Sequence, residues 1–528
     1  MQEFAPLSEE RPSEWNLPRI AVVVISLGFL LRLYSFLGTP VINADATYYV
    51  QQAKAIHYGF HDRILSCYGY LSNYPIVIAL AYKIFGDWII AAKGVSLLFG
   101  TITLVPLYWL VRRFFDERIS ALTLLVLAVC PAFVEESREV IRGPVYWFFA
   151  VLGLYLFVLQ IEKKKDSYLV LSSLSFLLAA WARAEATLFI LVSATFLLFM
   201  NQDGRCRRLI SFLLPVFLVS LSAIFLCLVW RCDVTEVLGT HRVLARVTGV
   251  FDSYESLRHN LGSLVDQTPP GFSPYFFPKV RNLIWVIALA ALWVQIMETF
   301  FIPFFMVFLL GLWGARDRMG KDRRLAYLAL SSVAALMLLY AQILYNWAMS
   351  SRFVALFLFP AFVFIGLGMD KLVRFFNKRS RMKPGSLYRV VWFLVLLVAL
   401  PKDLGSHDRA DKVVFKEIGE FISSNKGSGG EISVAGTFKE LRLVHFYAHI
   451  NDQGTPCFDQ DAILDDRKEM TLQGLRNQGF NYFILQTKDP PMDGEKLRKA
   501  AGITAVKLKE WESAKLGRLI LFRINSSR

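Results

Sequence analysis

Charge is scarce in this 528-residue chain: Asp, Glu, Lys and Arg make up 19% of it, against about 25% in an ordinary soluble domain. That deficit excludes a soluble globular protein over most of the length. Cysteine is sparse too, and Cys67, Cys130, Cys206, Cys227, Cys232 and Cys457 follow no pattern. With no CxxC pair and no Cys/His spacing, a structural zinc site or dithiol redox centre is not expected. No glycine-rich phosphate loop occurs anywhere, which argues against a nucleotide-dependent reaction, and the C-terminal region has no nucleophile elbow. Segment repeats are missing, and the one low-complexity tract is Lys426-Gly427-Ser428-Gly429-Gly430. The polar, acidic stretch from Met1 to Pro18 and the lack of a small-residue cleavage site after the first apolar run argue against a cleavable signal peptide.

What the chain has in quantity is apolar sequence: 55% hydrophobic and 14% aromatic residues, with a mean hydropathy of +0.43. Windows of about 20 residues, the length that crosses a bilayer as a helix, predict about eleven crossings. They fall near 19–37, 88–111, 119–134, 144–161, 168–182, 186–200, 209–230, 293–314, 325–345, 353–370 and 390–402. The formal net charge of +15 is concentrated in short gaps between these runs. Arg112, Arg113 and Arg118 occupy one gap, Lys163 to Lys165 the next, and Arg205, Arg207 and Arg208 a third. Arg316, Arg318, Lys321, Arg323 and Arg324 follow, then Lys371, Arg374, Lys378, Arg379, Arg381, Lys383 and Arg389. With the N-terminus inside, every cluster falls on the cytoplasmic side, as the positive-inside rule asks. The charge therefore records topology, and a nucleic-acid partner is not expected. Two apolar stretches are read as non-crossing. Asn73 to Phe85 is too short and carries Pro75 and Lys83, so it is expected to lie in the interface. The stretch from Asn282 to about Gln295 is expected to be re-entrant or interfacial, with a straight helix over 282–314 as the alternative.

This gives a mainly α membrane protein, a polytopic bundle of about 11 transmembrane helices with interfacial helices in the first outer loop, plus a small C-terminal α/β extracytoplasmic domain. Residues 1–18 are expected to be a cytoplasmic tail, and 19–402 the membrane domain with outer loops near 38–87 and 231–281. Residues 403–528 form the outer domain, in a multi-pass protein of the inner (plasma) membrane. In that tail the spacing of Val413, Phe415, Ile418, Phe421 and Ile422 predicts a helix. Strands are predicted at Ile432–Ala435, Tyr482–Leu485 and Leu519–Phe522, and helices at Leu441–Ala448 and Gly494–Ala501. Cys67, Cys232 and Cys457 would lie outside, where a disulfide is open to them but its pairing is not deducible.

Four polar sets recur at the outer ends of the predicted spans. Asp45 stands with Tyr48 and Tyr49 just after the first span, in Ile42-Asn43-Ala44-Asp45-Ala46-Thr47-Tyr48-Tyr49. Charge is costly at that depth unless it has a role, yet Asp is also a favoured N-cap and could simply start a helix through Gln51 and Gln52. The second set is Glu135-Glu136-Ser137-Arg138-Glu139-Val140-Ile141-Arg142-Gly143-Pro144, the third Arg183-Ala184-Glu185, and the fourth runs from Tyr345 to Phe353 around Arg352. Arginines on this side run against the positive-inside bias. They either pair internally, Arg183 with Glu185 and Arg138 or Arg142 with neighbouring glutamates, or hold an anion such as a phosphate in a guanidinium fork. Arg352 is the strongest candidate for the second role, because 345–353 contains no acidic residue. A phosphate here with a tail in the bilayer is a lipid-phosphate. Asp45 as proton acceptor facing such a phosphate suits glycosyl transfer without a nucleotide.

In these motifs the chain resembles the C-type glycosyltransferases that use polyprenyl-phosphate sugars, most nearly the protein O-mannosyltransferase and lipid A aminoarabinose transferase superfamily. The likeness spans about residues 15–400 and rests on Asp45 in the first outer loop, Ser-Arg-Glu-Val-Ile-Arg-Gly-Pro from Ser137, the Arg-Ala-Glu turn at Arg183, and Ser351-Arg352-Phe353 with a later Phe-Pro. It implies an outward-facing cavity, Asp45 as catalytic base, and Arg352 with Tyr345 at the donor phosphate, with Arg142 and Arg138 as further donor-phosphate ligands. Tyr48, Asp62, Glu136, Arg183 and Glu185 are the other candidates. The chain departs from the family pattern where Ala46 follows Asp45 in place of a second acid, and where Ser72-Asn73-Tyr74-Pro75 stands at the loop's end. Asp62 and Glu136 are the candidates for a second carboxylate. Some relatives bind a divalent ion, but no ligand spacing here predicts one and no cofactor is expected. The resulting expectation is an enzyme that moves a hexosyl or pentosyl group from a polyprenyl-phosphate donor to a lipid, glycan or protein acceptor at the outer face. A transporter or lipid-sugar flippase would place charge at midmembrane depth, whereas here charge sits at span ends, Glu298 aside. A non-catalytic scaffold is the third reading.

Overall fold

The computed structural model describes residues 15–64, 69–199, 204–230, 240–266, 271, 273–379, 384–405, 410–425, 432–436, 438, 440–453, 480–487, 505–513 and 515–524. Cys67, Cys232, Cys457, the 426–430 tract and the helix expected at Gly494–Ala501 lie outside them. The chain divides into two compact units. One contains residues 1–33, 96–137 and 142–405, and the other 34–95, 138–141 and 406–528.

Among the described residues eight helices are long and apolar enough to cross a membrane, or nine with one bent pair. They include Arg19–Leu37, Gly143–Lys163, Arg323–Asn346 and the 29-residue Ser351–Arg379. The expected eleven is not reached by this measure, because Asp166–Ala182 and Ala184–Phe199 are shorter apolar helices. The crossing expected at 119–134 is two helices, Glu117–Ala128 and Pro131–Arg138, bent by 55°. Pro131 opens the second, where a missing N–H costs nothing. The region 282–314 corrects both earlier readings. It is neither a re-entrant piece nor one straight helix, but two helices, Phe276–Phe300 and Ile302–Met319. They part at Phe301, whose φ of 65° no helix accommodates, and Pro303 opens the second helix.

The core of the first unit is aromatic: Trp147, 1% exposed, packs its ring 4.8 Å from Phe133 and 6.2 Å from Phe359. Some buried polar groups within the helices are matched, as an apolar medium favours. Ser193 Oγ and the Tyr327 hydroxyl lie 2.8 Å apart, and Arg32 donates to Ser137 Oγ at 3.1 Å and to the Ala128 carbonyl at 2.9 Å. Three of the chain segments that carry basic gaps are joined by ion pairs. Glu162 pairs with both Arg113 and Arg324, and Arg324 also holds Asp322 at 2.7 Å. Three segments that the positive-inside pattern assigned to one side of the membrane thus meet.

Helices Ile302–Met319 and Ser351–Arg379 approach closely through glycine. A Cβ at Gly368 would stand 2.0 Å from the Val307 carbonyl oxygen, and one at Gly311 would stand 1.7 Å from that of Phe364. Small residues at a helix crossing let backbones pack where no hydrophobic force drives association. Gly368→Ala should therefore destabilise by about 1–3 kcal/mol, read as a lower thermal midpoint in detergent; an unchanged midpoint would contradict this packing.

The second unit contains helices Ala44–Tyr58 and Asn73–Phe85, the latter coinciding with the stretch expected to be interfacial, and a four-stranded sheet. Strands β1 (Val434–Gly436), β2 (Tyr482–Thr487), β3 (Ala505–Ser513) and β4 (Gly517–Ile524) lie in the order β1-β2-β4-β3. β1 and β2 are parallel, while β4 pairs antiparallel with β2 and β3. Helices Ala410–Ser424 and Leu441–Ala448 form as their periodicity predicts. In the second of these, His445 is 9% exposed beside His449, 4.5 Å away. Burial, with the neighbouring His449, pushes the His445 pKa down from 6.5 to about 3. The unfolded chain therefore takes up a proton that the folded one refuses, so this contribution is full above pH 6.5 and is lost as pH falls from 6.5 toward 3. His445→Asn should flatten the pH dependence of unfolding across that window relative to wild type. Parallel curves for the two proteins would contradict the assignment.

Candidate functional site

The sequence-predicted residues fall into both units. Asp45, Tyr48, Asp62 and Arg138 belong to the second, and Glu136, Arg142, Arg183, Glu185, Tyr345 and Arg352 to the first.

In the second unit, helix Ala44–Tyr58 is capped by Asn43, whose Oδ1 accepts from the Ala46 N–H at 2.8 Å. Asn43 is held from its other side, donating through Nδ2 to Glu139 Oε2 at 2.9 Å. The capping reading of Asp45 is thereby corrected. Asn43 does that work two residues earlier, and the half-buried Asp45 sits in the first turn, where the exposed helical N–H groups and the helix dipole favour a negative charge. Tyr48 is 8% exposed, with the Arg442 guanidinium 4.8 Å from its ring centroid. Nearly two turns further along, Lys54 donates to the carbonyls of His449 at 3.1 Å and Ile450 at 3.0 Å. Sequence reading missed Lys54 and Arg442, whose partners lie far along the chain, and passed over Asn43, whose cap bond to Ala46 is local. Asp62 is exposed in the short turn His61–Arg63. Arg138 is almost wholly buried, with its Nε 3.6 Å from Glu139.

In the first unit three chain segments converge. Ser351 and Arg352 open the 29-residue helix Ser351–Arg379, Arg183 and Glu185 come from the turn between Asp166–Ala182 and Thr187–Phe199, and Glu136 lies on Pro131–Arg138. Arg183 pairs with Glu185 at 3.5 Å and donates through Nη1 to the Arg352 carbonyl at 3.0 Å. Internal pairing thus describes Arg183. Both guanidiniums flank one ring, with Arg183 4.4 Å and Arg352 5.6 Å from the Phe353 centroid. Arg352 Nε donates to Ser350 Oγ at 3.1 Å, and the Ser351 hydroxyl donates to Glu136. Burial opposes ionisation of Glu185, but Arg183, a backbone N–H and Arg142 outweigh it and hold the carboxyl below its usual range.

The arrangement is a helix N-terminus without an acid in its first turn, bearing a guanidinium whose backbone is fixed by a second arginine. Exposed N–H groups, the dipole and guanidinium donors together make a place for an anion. Glu136 is the local carboxylate that reading residues 345–353 alone did not reveal. Tyr345 has a different neighbour: its ring packs over Gly249, where a Cβ would stand 2.7 Å away, and its carbonyl accepts from Ser253 Oγ at 2.8 Å. Among the described residues no three His, Cys, Asp or Glu side chains come together as metal ligands.

Comparison with known proteins bears on the fold these residues sit in. The family model described as dolichyl-phosphate-mannose-protein mannosyltransferase matches residues 73–230. A search of curated proteins gives no match. Among solved structures, ArnT from Cupriavidus metallidurans bound to undecaprenyl phosphate superposes with a TM-score of 0.56 at 12% identity, over 95% of this chain and 97% of that one. The archaeal oligosaccharyltransferase AglB from Archaeoglobus fulgidus, in complex with an inhibitory peptide and a dolichol-phosphate, gives 0.53 at 12% identity, over 95% of this chain and 74% of that one. The A. fulgidus oligosaccharyltransferase in complex with zinc and sulfate gives 0.56 at 13% identity, over 95% of this chain and 72% of that one. The polytopic helical fold is the one the C-type resemblance implied. The described residues offer no ligand set for the zinc of the last structure.

Proposed function

We propose that the protein is an integral membrane glycosyltransferase that moves a hexosyl or pentosyl group from a polyprenyl-phosphate donor to a lipid, glycan or protein acceptor at the outer face of the inner membrane. The observation that carries this reading is Arg352 in the first turn of the Ser351–Arg379 helix, its carbonyl held by Arg183. No acid lies in the turn's own sequence, and although Glu136 accepts from the Ser351 hydroxyl beside it, the Arg352 guanidinium suits a phosphate diester headgroup. The solved structures of like fold support the donor class, since ArnT was solved with undecaprenyl phosphate and AglB with a dolichol-phosphate.

In this reading the acceptor nucleophile attacks C1 of the donor sugar. The bond from C1 to the phosphate oxygen breaks, and polyprenyl phosphate leaves with the electron pair. Asp45 takes the acceptor's proton, while Arg352, with Arg142 and Arg138 as further ligands, stabilises charge growing on the phosphate. Tyr48 is a further candidate, Asp62 and Glu136 are the candidates for a second carboxylate, and Arg183 with Glu185 keeps the Arg352 turn in place. The test is to incubate the purified protein or its membranes with a panel of labelled polyprenyl-phosphate sugars and follow the label. Transfer of one sugar with release of polyprenyl phosphate is expected. Retention of label on every carrier in the panel, or translocation of intact carrier without cleavage, rejects the reading.

A further inference from the structure

The second unit holds a cavity of about 570 Å³, within the size range of small-molecule sites, that the proposed chemistry does not use. One wall is aromatic. Tyr82 and Trp88 stack with centroids 3.7 Å apart and planes within 5°, and Tyr58 tilts against Trp88 at 6.2 Å. His57 stands edge-on to both stacked rings, at 4.9 and 5.6 Å. The chain reaches this stack through Gly86, whose φ of 67° ends helix Asn73–Phe85 so that Trp88 can start the next. The facing wall is polar and comes from the C-terminal part of the same unit: Lys416, Glu420 and Ser424 on helix Ala410–Ser424, and Asn451 after helix Leu441–Ala448. Lys416 and Glu420 face each other at 3.8 Å and are one-third and more than half exposed, so both heads remain open to a ligand.

The composition of the two walls selects among ligands. A phosphate or nucleotide would need surplus positive charge, whereas Lys416 is offset by Glu420 and Asp87 in the same lining. An acyl chain would leave an ammonium, a carboxylate and an amide facing hydrocarbon. Trp88 is only 6% exposed and is stacked on Tyr82, so the ring that meets a ligand is the half-buried Tyr82. A saccharide meets both walls at once. Its C–H face packs on the electron-rich ring face, and its rim of hydroxyls donates to Glu420 and accepts from Lys416 and Asn451.

We propose that this pocket is a saccharide-binding subsite that holds the glycan part of the acceptor. The assignment of its ligand to the acceptor rests on the transferase reading above. The experiment uses the full-length protein in lipid nanodiscs, with free mannotriose, maltotriose and chitotriose as probes, followed by saturation-transfer NMR and titration. Binding of at least one trisaccharide is expected, weakened about three- to tenfold by Tyr82→Ala and severalfold by Glu420→Gln, a surface change that leaves the fold intact. Polyprenyl-phosphate affinity should be unchanged in both variants. No trisaccharide binding to the wild type, or binding undiminished in Glu420→Gln, overturns the subsite. If sugar binding behaves as expected but the wild type has no affinity for polyprenyl phosphate, the transferase reading falls and the saccharide pocket stands.

Discussion

Asp45→Asn should cut sugar transfer by about 10²–10⁴-fold, the usual loss when a positioned general base is removed, while donor affinity and thermal midpoint stay near wild type. The substitution separates roles because Asn43, not Asp45, supplies the cap of helix Ala44–Tyr58 through its 2.8 Å bond to the Ala46 N–H. Asn is in any case as good a residue as Asp near a helix start, so the substitution should not disturb the turn. Asn keeps the shape and the hydrogen-bonding oxygen but cannot accept a proton at neutral pH. Asp45→Glu, which keeps the carboxylate one methylene further out, should retain more activity than Asn. The opposite ranking, or full turnover by Asp45→Asn, would remove Asp45 from the chemistry and favour a scaffold. Asn43→Ala provides the complementary control, with an expected stability loss of about 1 kcal/mol and a smaller effect on the chemical step.

Long apolar runs made most of the membrane helices legible, because twenty residues of hydrocarbon side chain leave the backbone no alternative to a helix. The break at Phe301 was not legible in the same way. The run from Leu283 to Trp313 is apolar apart from Gln295, Glu298 and Thr299, and the φ of 65° at Phe301, followed by Pro303, divides it into two helices. In the C-terminal region the strands rich in Ile, Leu and Phe were found, whereas Ala505–Ser513 was not. It alternates with Lys507, Lys509, Glu510 and Glu512, the charge that protects a sheet edge and also hides the strand from a hydrophobicity count. Short-range site pairings, Arg183–Glu185 and Arg138–Glu139, could be read from adjacency. The bond from Ser351 to Glu136 joins residues 215 positions apart, and that of Lys54 to the His449 carbonyl joins residues 395 apart. Such contacts follow from tertiary packing and leave no local trace. The departure of Ala46 from the acidic pair of the family pattern takes on a definite meaning here. Glu136 and Asp62 differ sharply in setting, one buried and accepting from Ser351, the other exposed in a turn. Of the two, Glu136 is the one held in a fixed position.

Arg352→Ala should weaken binding of a polyprenyl phosphate by about 1.5–3 kcal/mol, the range of a hydrogen bond to a charged group, which corresponds to roughly ten- to 150-fold in affinity. Folding should be spared, because the fixed contact of this turn runs through the Arg352 carbonyl, which Arg183 Nη1 reaches at 3.0 Å whatever side chain stands there. Arg183→Ala should behave differently. It removes that anchor, leaves the half-buried Glu185 without its nearest cation, and should lower both stability and donor affinity. Arg352→Lys keeps the charge but loses the planar fork, and an intermediate affinity is expected of it. Raising the salt concentration should narrow the gap between wild type and Arg352→Ala, since screening weakens the exposed part of the contact. The measurement is titration of the purified, detergent-solubilised variants with undecaprenyl phosphate. If Arg352→Ala binds as tightly as wild type while Arg142→Ala or Arg138→Ala does not, the phosphate belongs to the 138–142 turn, and the N-terminus of the Ser351–Arg379 helix is a structural feature alone.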